Sequence, residues 1–385
     1  MTLKQLLTEM LKYKASDLHI RVNVRPHLRI DGNLQQIPCD TVTAEEMDSY
    51  VSQMLNDAQK ERFARKMELD LALSVVKLGR FRINLYRQRG TVGIAIRAVN
   101  DVIPSMAELN LPPVVEKIAN ARRGLVLVTG VTGSGKSTTM ASMLEYMNET
   151  RNENIITIED PIEFVYRDKN CIISQREVGG DTETFPAALR HAFRQDPDVI
   201  LIGEIRDIET MSIALTAADT GHLVLTTLHT LNAVETISRM INFFPPHQHQ
   251  QIRLLLAGTL QAIICQRLLK RCDEPGRIPA CEVLLNTGAI RECLLDEAKT
   301  YDIKGLIEGG LTQYGMQSFD QSIMQHYRDN IIDYEEAVNN ATNADDFDMR
   351  VKGITGASDR WSGEGGDGSQ SHDPAPGTLP GMRKF

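Results

Sequence analysis

The stretch that decides the fold is Leu125-Val-Leu-Val-Thr-Gly-Val-Thr-Gly-Ser-Gly-Lys-Ser137. Its apolar beginning, Leu125–Val128, predicts a buried strand, and the pattern over Thr138–Asn148 predicts a helix directly after the glycines. Strand, glycine loop and helix in this order favour a phosphate-binding loop, because backbone N–H groups and the positive end of the helix then point at one place. In such a loop Lys136 is expected to reach the β- and γ-phosphates of a nucleotide, and the Ser137 hydroxyl to hold Mg²⁺.

Composition limits the class of protein. The chain has 385 residues and a net charge of −9, so it is long enough for about two or three domains and shows no basic surface for nucleic acid. Its six cysteines include no C-x-x-C pair, which fits a reducing cytoplasm. No apolar run approaches the roughly 18 residues of a membrane span. The most apolar stretch, Leu254–Leu269, is interrupted by polar residues and predicts a buried helix.

Residues 1–100 predict a small α+β domain. The apolar positions of Leu3–Leu11 have helical spacing, Asp31-Gly32 predicts a two-residue hairpin, and Thr43–Glu46 is a capping box that opens a second helix. Three strands are then predicted over Leu69–Val75, Arg80–Gln88 and Thr91–Val99.

The last of these hairpins carries two opposed arginines. With Arg89-Gly90 as its two-residue turn, Arg82 lies directly opposite Arg97, on the face away from the apolar side chains. Because like charges opposed across a strand pair are destabilising, an anion is expected between them. The alternative is a pair of solvated surface arginines on an edge strand.

A second, larger domain follows a linker. Residues 101–113 are polar and punctuated by proline, which indicates an interdomain linker. Residues 114–354 alternate apolar strands with helices, a pattern typical of an α/β domain with a mostly parallel sheet. From Pro245 the pattern is mainly helical, with a hairpin across Ile278–Leu285. Residues 355–385 contain almost no aliphatic side chains and predict a disordered tail.

Acidic side chains follow two of the predicted strands. Three carboxylates lie within Glu159–Glu163, and Glu204 ends the apolar run Asp198–Glu204. Ligand sites of α/β proteins lie at the carboxyl ends of strands, so these acids are expected beside the phosphate loop. One would lie near Mg²⁺ or its water, and another would orient or deprotonate the attacking water. Taken singly, each acid is better explained as a solvated loop carboxylate, but their shared placement after apolar strands beside the phosphate loop favours a site.

Two histidines bound a further predicted strand, Gly221–His229. His222 and His229 lie seven residues apart, so their imidazoles point to opposite faces and do not predict a shared metal. His229, at the carboxyl end, is a candidate sensor of the γ-phosphate. His222 is expected to be structural or to lie at a subunit contact, and a structural role is the alternative for His229 as well.

Together these residues resemble the superfamily of secretion ATPases that drives type II secretion, type IV pili and type IV secretion. The likeness covers Leu3 to about Ile354, and Arg194–Asp207 (RQDPDVILIGEIRD) is similar to the superfamily's signature. The resemblance implies a PAS-like N-terminal domain joined to a RecA-like ATPase domain, an α/β protein that assembles as a homohexamer and uses ATP and Mg²⁺.

The resemblance also implies roles for individual residues. It makes Glu163 the general base, places Glu204 with Ser137 at Mg²⁺, and makes Arg82 and Arg97 phosphate-contacting arginines. It adds Lys136 and His229 to the catalytic set. The nucleotide-contacting residues that it implies in the Walker A box are Gly130, Val131, Thr132, Gly133, Ser134, Gly135, Lys136, Ser137 and Thr138.

Within the superfamily the chain most resembles the PilT-type retraction ATPases of type IV pili. Ala289–Leu294 begins like their Ala-Ile-Arg helix motif and departs from it in its second half. Met316–Gln321 also occurs in the PilU-type accessory ATPases, so this alternative stays open. The resemblance implies an inner-membrane pilus platform protein as partner, with an accessory retraction ATPase as a further one.

Overall fold

The computed structural model describes residues 1–30, 32–99 and 102–353. Its elements group around two β-sheets. The first group has strands β1 (Asp17–Arg21), β2 (His27–Ile30), β3 (Asn33–Gln36), β4 (Glu68–Val75), β5 (Gly79–Gln88) and β6 (Thr91–Ala98), with helices α1 (Leu3–Lys12), α2 (Ala44–Met54) and α3 (Asp57–Lys66). The Asp31-Gly32 turn lies partly outside the described residues, but the pairing of Ile30 with Asn33 fits it.

The first sheet is antiparallel, and its order is β3-β2-β1-β6-β5-β4. Alternate side chains of β5 and β6 are buried with the apolar faces of the helices, in a core that includes Leu6, Met47, Phe63, Phe81 and Ile94. Each helix begins at a capping box, which satisfies N–H groups that the first helical turn leaves without partners.

The predicted register of the β5–β6 hairpin is confirmed. Arg82 pairs directly with Arg97, and Arg89 and Gly90 form the turn with φ angles of 48° and 79°. Positive φ at both positions is what a type I′ hairpin turn requires. The two arginines therefore lie on the sheet face that does not pack against the helices.

The second group contains the phosphate loop. Its strands are β7 (Gly124–Thr129), β8 (Asn154–Glu159), β9 (Ile172–Glu177), β10 (Val199–Ile202), β11 (Leu223–Leu228), β12 (Leu260–Lys270) and β13 (Arg277–Leu285). Its helices are α4 (Val114–Ala119), α5 (Lys136–Thr150), α6 (Phe185–Ala192), α7 (Ile208–Asp219), α8 (Ala233–Asn242), α9 (His249–Thr259), α10 (Gly288–Leu295), α11 (Ile303–Gly309), α12 (Leu311–Tyr314), α13 (Phe319–Arg328), α14 (Tyr334–Asn340) and α15 (Ala344–Val351), with short 3₁₀ helices at Pro246–Gln248 and Glu297–Asp302.

The second sheet has the order β13-β12-β7-β11-β10-β8-β9 and is parallel except for β13. Strands β7, β10 and β11 are buried on both faces, because helices cover both sides. The parallel arrangement brings the carboxyl ends of β7, β8, β10 and β11 to one edge. The fold class expected from the sequence, a small α+β domain followed by a larger α/β domain, is confirmed.

Two predictions in the second half of the chain were wrong. Leu254–Leu269 is not one helix: α9 ends at Thr259, and β12 begins at Leu260. Ile278–Leu285 is not a hairpin, since all of it lies in β13, which pairs with β12 from Ala262↔Leu285 to Lys270↔Arg277. Strand β12 lies between β7 and β13 and is buried on both faces, so its apolar run lacks the alternation that separates a strand from a helix.

Other predictions fall beyond the described residues. The linker prediction for 101–113 includes residue 101, the second domain was expected to reach 354, and the predicted tail, 355–385, lies outside them entirely. Within the part of the chain that the structure describes, no helix has the length and apolarity that crossing a membrane requires.

Candidate functional site

A cleft of about 650 Å³ opens at the carboxyl ends of the parallel strands. It brings together Lys136, Ser137, Glu163, Glu204 and His229, which the sequence placed in four separate segments. The loop residues Thr132, Gly133, Gly135 and Thr138 also line it. The backbone of Gly130, Val131 and Ser134 forms the rest of the loop, while Arg82 and Arg97 come from the first domain and are outside the lining.

The phosphate loop is held in shape by its own lysine. The Lys136 ammonium donates to the carbonyl oxygens of Gly130, at 2.8 Å, and Val131, at 2.9 Å. Helix α5 starts at Lys136, and Gly135 caps it with φ 92°, so the N-terminus of the helix faces the cleft. Burial lowers the pKa of Lys136, and the nearby Glu204 carboxylate opposes that shift.

Gly130 and Gly133 both have positive φ angles, but only Gly130 lies against neighbouring atoms. Gly130 has φ 145°, and an added Cβ would lie 2.5 Å from the Gln266 carbonyl oxygen and 2.6 Å from the Ser134 hydroxyl. Gly133 has φ 79° but nothing within 4 Å of an added Cβ. Gly130→Ala is therefore expected to lower the stability of the protein by about 1–3 kcal/mol more than Gly133→Ala, since only the former adds steric overlap to backbone strain.

Thermal unfolding and ADP titration of the two alanine variants check this prediction. Gly130→Ala should show the lower melting temperature and the weaker ADP binding. Equal melting temperatures would mean that the β12 backbone does not restrict the loop.

Glu204 lies at the centre of a small polar network. Its carboxylate accepts from Arg206 and lies 3.5 Å from Nε2 of His229, with a side chain that is 18% exposed. Thr227, at the end of β11, donates to the Gly203 carbonyl oxygen at 2.7 Å, which fixes the turn before Glu204. Arg206 also lies 3.6 Å from Asp160. The network ties the ends of β10, β11 and β8 together.

Glu163 stands on a loop that a second acid supports. The Glu163 backbone N–H donates to the buried Glu159 carboxylate at 3.4 Å. Glu159 also accepts from the Thr157 hydroxyl at 2.7 Å and from the Gln175 amide at 3.3 Å. Burial raises the pKa of the Glu159 carboxyl, and these hydrogen bonds oppose the shift. Glu159 thus positions the loop, and the more exposed Glu163 lines the cleft.

The first domain reaches this loop through two ion pairs. Arg82 donates to Glu163 at 3.2 Å, and Arg80 donates to Glu177, on β9, at 2.9 Å. Glu177 also accepts from the backbone N–H of Ile162, the residue before Glu163, at 3.4 Å. Arg97 instead pairs with Asp17 of the neighbouring strand at 2.8 Å. Each of the opposed arginines therefore has its own carboxylate partner, and among the described residues only the partner of Arg82 belongs to the second domain.

Sequence reasoning missed Arg80 and Glu177. Arg80 lies two residues before Arg82, so both side chains belong to the same face of β5, and this spacing was a usable signal. Glu177 gave no such signal, because β9 was not predicted and a glutamate after a mixed polar strand is common on surfaces.

The histidines bounding β11 have different surroundings. His229 is beside Glu204 in the cleft. At the other end, His222 contacts the Ala217 carbonyl oxygen and the Thr220 hydroxyl through Nδ1, and its ring meets Phe193 edge-on at 5.7 Å. These contacts place His222 between α7, β11 and Phe193, and its role, structural or at a subunit contact, stays a prediction.

The side chains in the cleft fit a magnesium nucleotide. Mg²⁺ is bound in proteins by one or two oxygen ligands together with phosphate oxygens, and Ser137 and Glu204 offer such oxygens. No set of three ionisable ligands suited to a metal occurs among residues 1–30, 32–99 and 102–353. The Ser134 hydroxyl is buried in the loop without a hydrogen-bond partner, so the loop retains an unused polar group.

Fold and cleft together define a P-loop nucleotide-binding protein. A family model described as type II/IV secretion system protein matches residues 1–350. The chain is 40% identical over 352 residues to the type IV pilus ATPase PilU of Pseudomonas aeruginosa, covering 91% of this chain and 92% of that protein. It is 39% identical over 347 residues to the type IV pilus retractation ATPase PilT of the same organism, covering 90% and 100%.

A solved structure gives the same result. The crystal structure of the pilus retraction motor PilT with bound ADP matches with a TM-score of 0.83 at 39% identity, covering 90% of this chain and 98% of that one. The chain therefore belongs to the type II/IV secretion system ATPase family. The fold implied by the resemblance, an N-terminal domain followed by a RecA-like ATPase domain, is confirmed.

Proposed function

We propose that this chain is an ATP-hydrolysing motor that powers retraction of type IV pili. The observation that carries the proposal is the single cleft uniting Lys136, Glu163 and Glu204, in a chain related over nearly its whole length to a retraction ATPase. Members of the family are ATPases, and retraction is the activity named for PilT.

Hydrolysis needs one group to activate water and others to hold the phosphates. Glu163, which lines the cleft, would take a proton from the attacking water. The water oxygen would bond to the γ-phosphorus as the bond from that phosphorus to the oxygen of the leaving ADP breaks. Lys136 and the loop N–H groups would hold the phosphate oxygens. His229, next to Glu204, would report whether the γ-phosphate is present.

Magnesium is proposed as the cofactor of this reaction. Ser137 and Glu204 would hold it, and when bound it would neutralise charge on the β- and γ-phosphates. Glu204 now contacts Arg206 and His229, so metal binding would require it to exchange these partners. His229 would then lose its acidic neighbour when the nucleotide site is filled.

Domain movement would couple hydrolysis to work. Arg82 reaches across the domain boundary to Glu163, and Arg97 is its register partner on β6. In the proposed cycle ATP phosphates replace Glu163 as the partner of Arg82 and Asp17 as the partner of Arg97. This exchange would draw the first domain onto the cleft. The 101–113 segment would absorb the dihedral change of this hinge closure.

Loss of Arg82 should therefore impair catalysis more than folding. Arg82→Gln is expected to lower kcat/KM for ATP at least about 10-fold, the scale of a charge-assisted hydrogen bond. The Arg82–Glu163 pair is 37% and 48% exposed, so its removal should change stability by no more than about 1 kcal/mol. Steady-state ATPase assays and thermal unfolding measure both effects. Arg65→Gln, on the exposed side of α3, is the matched control, and unchanged kcat/KM in Arg82→Gln would contradict the proposed contact.

The motor is proposed to act as a homohexamer at the cytoplasmic face of the inner membrane. Its partners would be the inner-membrane pilus platform protein and an accessory retraction ATPase. Successive domain closures around the ring would turn the platform and disassemble the pilus. Light scattering with and without ATP tests the hexamer.

Complementation of a retraction-deficient strain tests the function itself. The wild-type chain as sole motor should restore twitching motility, and Lys136→Ala should not. A chain that hydrolyses ATP in solution but never restores retraction alone would favour the second candidate, a PilU-like accessory ATPase. That alternative is supported by the 40% identity to PilU.

A further inference from the structure

A second concave site lies on the first domain, separate from the catalytic cleft. It has a volume of about 270 Å³ and lies on the face of the antiparallel sheet away from the helices. We call it the basic hollow, and its lining residues are His19, Arg21, His27, Arg29, Leu34 and Tyr86. It shares no lining residue with the cleft that contains the phosphate loop.

Strand register explains why this face is concave. One row across the sheet runs Arg21, Gly93 and Tyr86, and the adjacent row places His19 beside Ala95. Glycine and alanine in the middle strand leave a depression between larger side chains on β1 and β5. An added Cβ at Gly93 would lie 2.6 Å from Cζ of Tyr86, so the tyrosine ring lies directly on this glycine.

The walls of the hollow are basic. His19 is directly opposite His27 in the β1–β2 pairing, and Arg21 and Arg29 flank them. Among the described residues, no carboxylate lines the hollow. The acid nearest along β1, Asp17, is already engaged by Arg97 at 2.8 Å. Like charges placed together on a sheet face are unfavourable unless an anion joins them.

Backbone carbonyl oxygens fix two of these side chains. Nδ1 of His27 donates to the Arg25 carbonyl oxygen at 2.8 Å, which orients the ring and leaves Nε2 of the neutral imidazole as an acceptor. One guanidinium nitrogen of Arg29 donates to the Gly32 carbonyl oxygen at 2.7 Å, and its other N–H groups remain. Burial lowers the pKa of His19, and Arg29, His27 and Arg21 lower it further against the opposing effect of Asp17.

We propose that the basic hollow binds a small phosphate-bearing ligand with a planar ring, the chemistry of a nucleoside monophosphate. The guanidinium groups of Arg21 and Arg29 offer N–H donors of the kind that recognise phosphate oxygens. An aromatic ring supports stacking of a base, and Leu34, 53% exposed at the rim, offers apolar contact. The volume is near the lower end of ordinary ligand pockets, about 300 Å³, which suits a mononucleotide.

Calorimetric titration of the full chain with AMP tests the site. AMP should bind the wild-type chain and the Lys136→Ala chain alike, because the hollow lies apart from the phosphate loop. Arg21→Gln should weaken AMP binding at least about 10-fold, the scale of a lost charge-assisted contact. Arg25→Gln, which removes a cation of the same β1–β2 connection outside the hollow, should leave binding unchanged.

A second pair of titrations separates the ring from the phosphate. Tyr86→Leu should weaken AMP binding at least about fivefold, the lower end of the range for lost base stacking, and leave inorganic phosphate binding unchanged. The proposal is overturned if AMP does not bind saturably, or if its binding is lost in Lys136→Ala and kept in Arg21→Gln. Equal binding of AMP and phosphate, with no effect of Tyr86→Leu, overturns the planar ligand. ATPase activity of Arg21→Gln reports separately on the proposed motor.

Discussion

Glu163→Gln is expected to lower steady-state ATP turnover by at least about 10²-fold, the usual scale for removing a general base. Glutamine keeps the size of the side chain and still accepts a hydrogen bond from Arg82, but it cannot take a proton from water. ATP binding should change little, because the phosphate loop and Lys136 are untouched. A phosphate-release assay and ATP titration measure the two quantities.

The stability of this variant separates chemistry from folding. Glu163 is 48% exposed, and its ion pair with Arg82 is of the surface kind, so thermal unfolding should be nearly unchanged. Glu183→Gln is the matched control, because it makes the same substitution at an exposed glutamate of the second domain, and it should retain full turnover. Normal turnover in Glu163→Gln would contradict the proposed role of Glu163 and assign the general base to another group.

Lys136→Ala is expected to reduce ATPase activity by about 10²–10³-fold, comparable with removing a preorganised donor from an active site. In contrast to Glu163→Gln, it should also weaken ATP binding. Lys136 is buried and donates to Gly130 and Val131, so its loss removes two hydrogen bonds that shape the loop as well as the proposed phosphate contact. Binding of a fluorescent ATP analogue, together with turnover, measures the effect.

An exposed lysine provides the comparison. Lys117→Ala, on α4, removes the same charge without a contact to the loop and should bind ATP like the wild type. Undiminished ATP binding in Lys136→Ala would show that the loop carbonyls, rather than phosphates, are the lysine's functional partners.

Local patterns predicted the elements around the phosphate loop well. Short buried apolar runs predicted the strands β7, β10 and β11, and helical periodicity predicted α5. The observed boundaries agree with the prediction to within a few residues. Leu254–Leu269 failed because a strand covered on both faces is as apolar as a buried helix. Strand β9 was missed because its residues are mostly half-buried or exposed and mix polar with apolar types.

Site residues could be predicted when they belonged to a motif or followed a buried strand. Lys136, Ser137, Glu163, Glu204 and His229 were named on that basis, and the structure gathers them in one cleft. Their chemical roles stay predictions. The structure alone supplies the partners that determine geometry: the buried Glu159 carboxylate, which accepts from the Glu163 backbone N–H, and the Arg80–Glu177 contact. The Arg80–Glu177 pair joins residues 97 positions apart, and only tertiary folding brings them together.

The two ion pairs at the domain boundary differ in solvent exposure, so salt should weaken them to different extents. Arg82 and Glu163 are 37% and 48% exposed, whereas Arg80 and Glu177 are 23% and 10% exposed. Dissolved ions screen exposed charges over about 8 Å at physiological concentration and screen buried pairs much less. As ionic strength rises, the contact at Glu163 should weaken first, while Arg80 still joins the domains beside it.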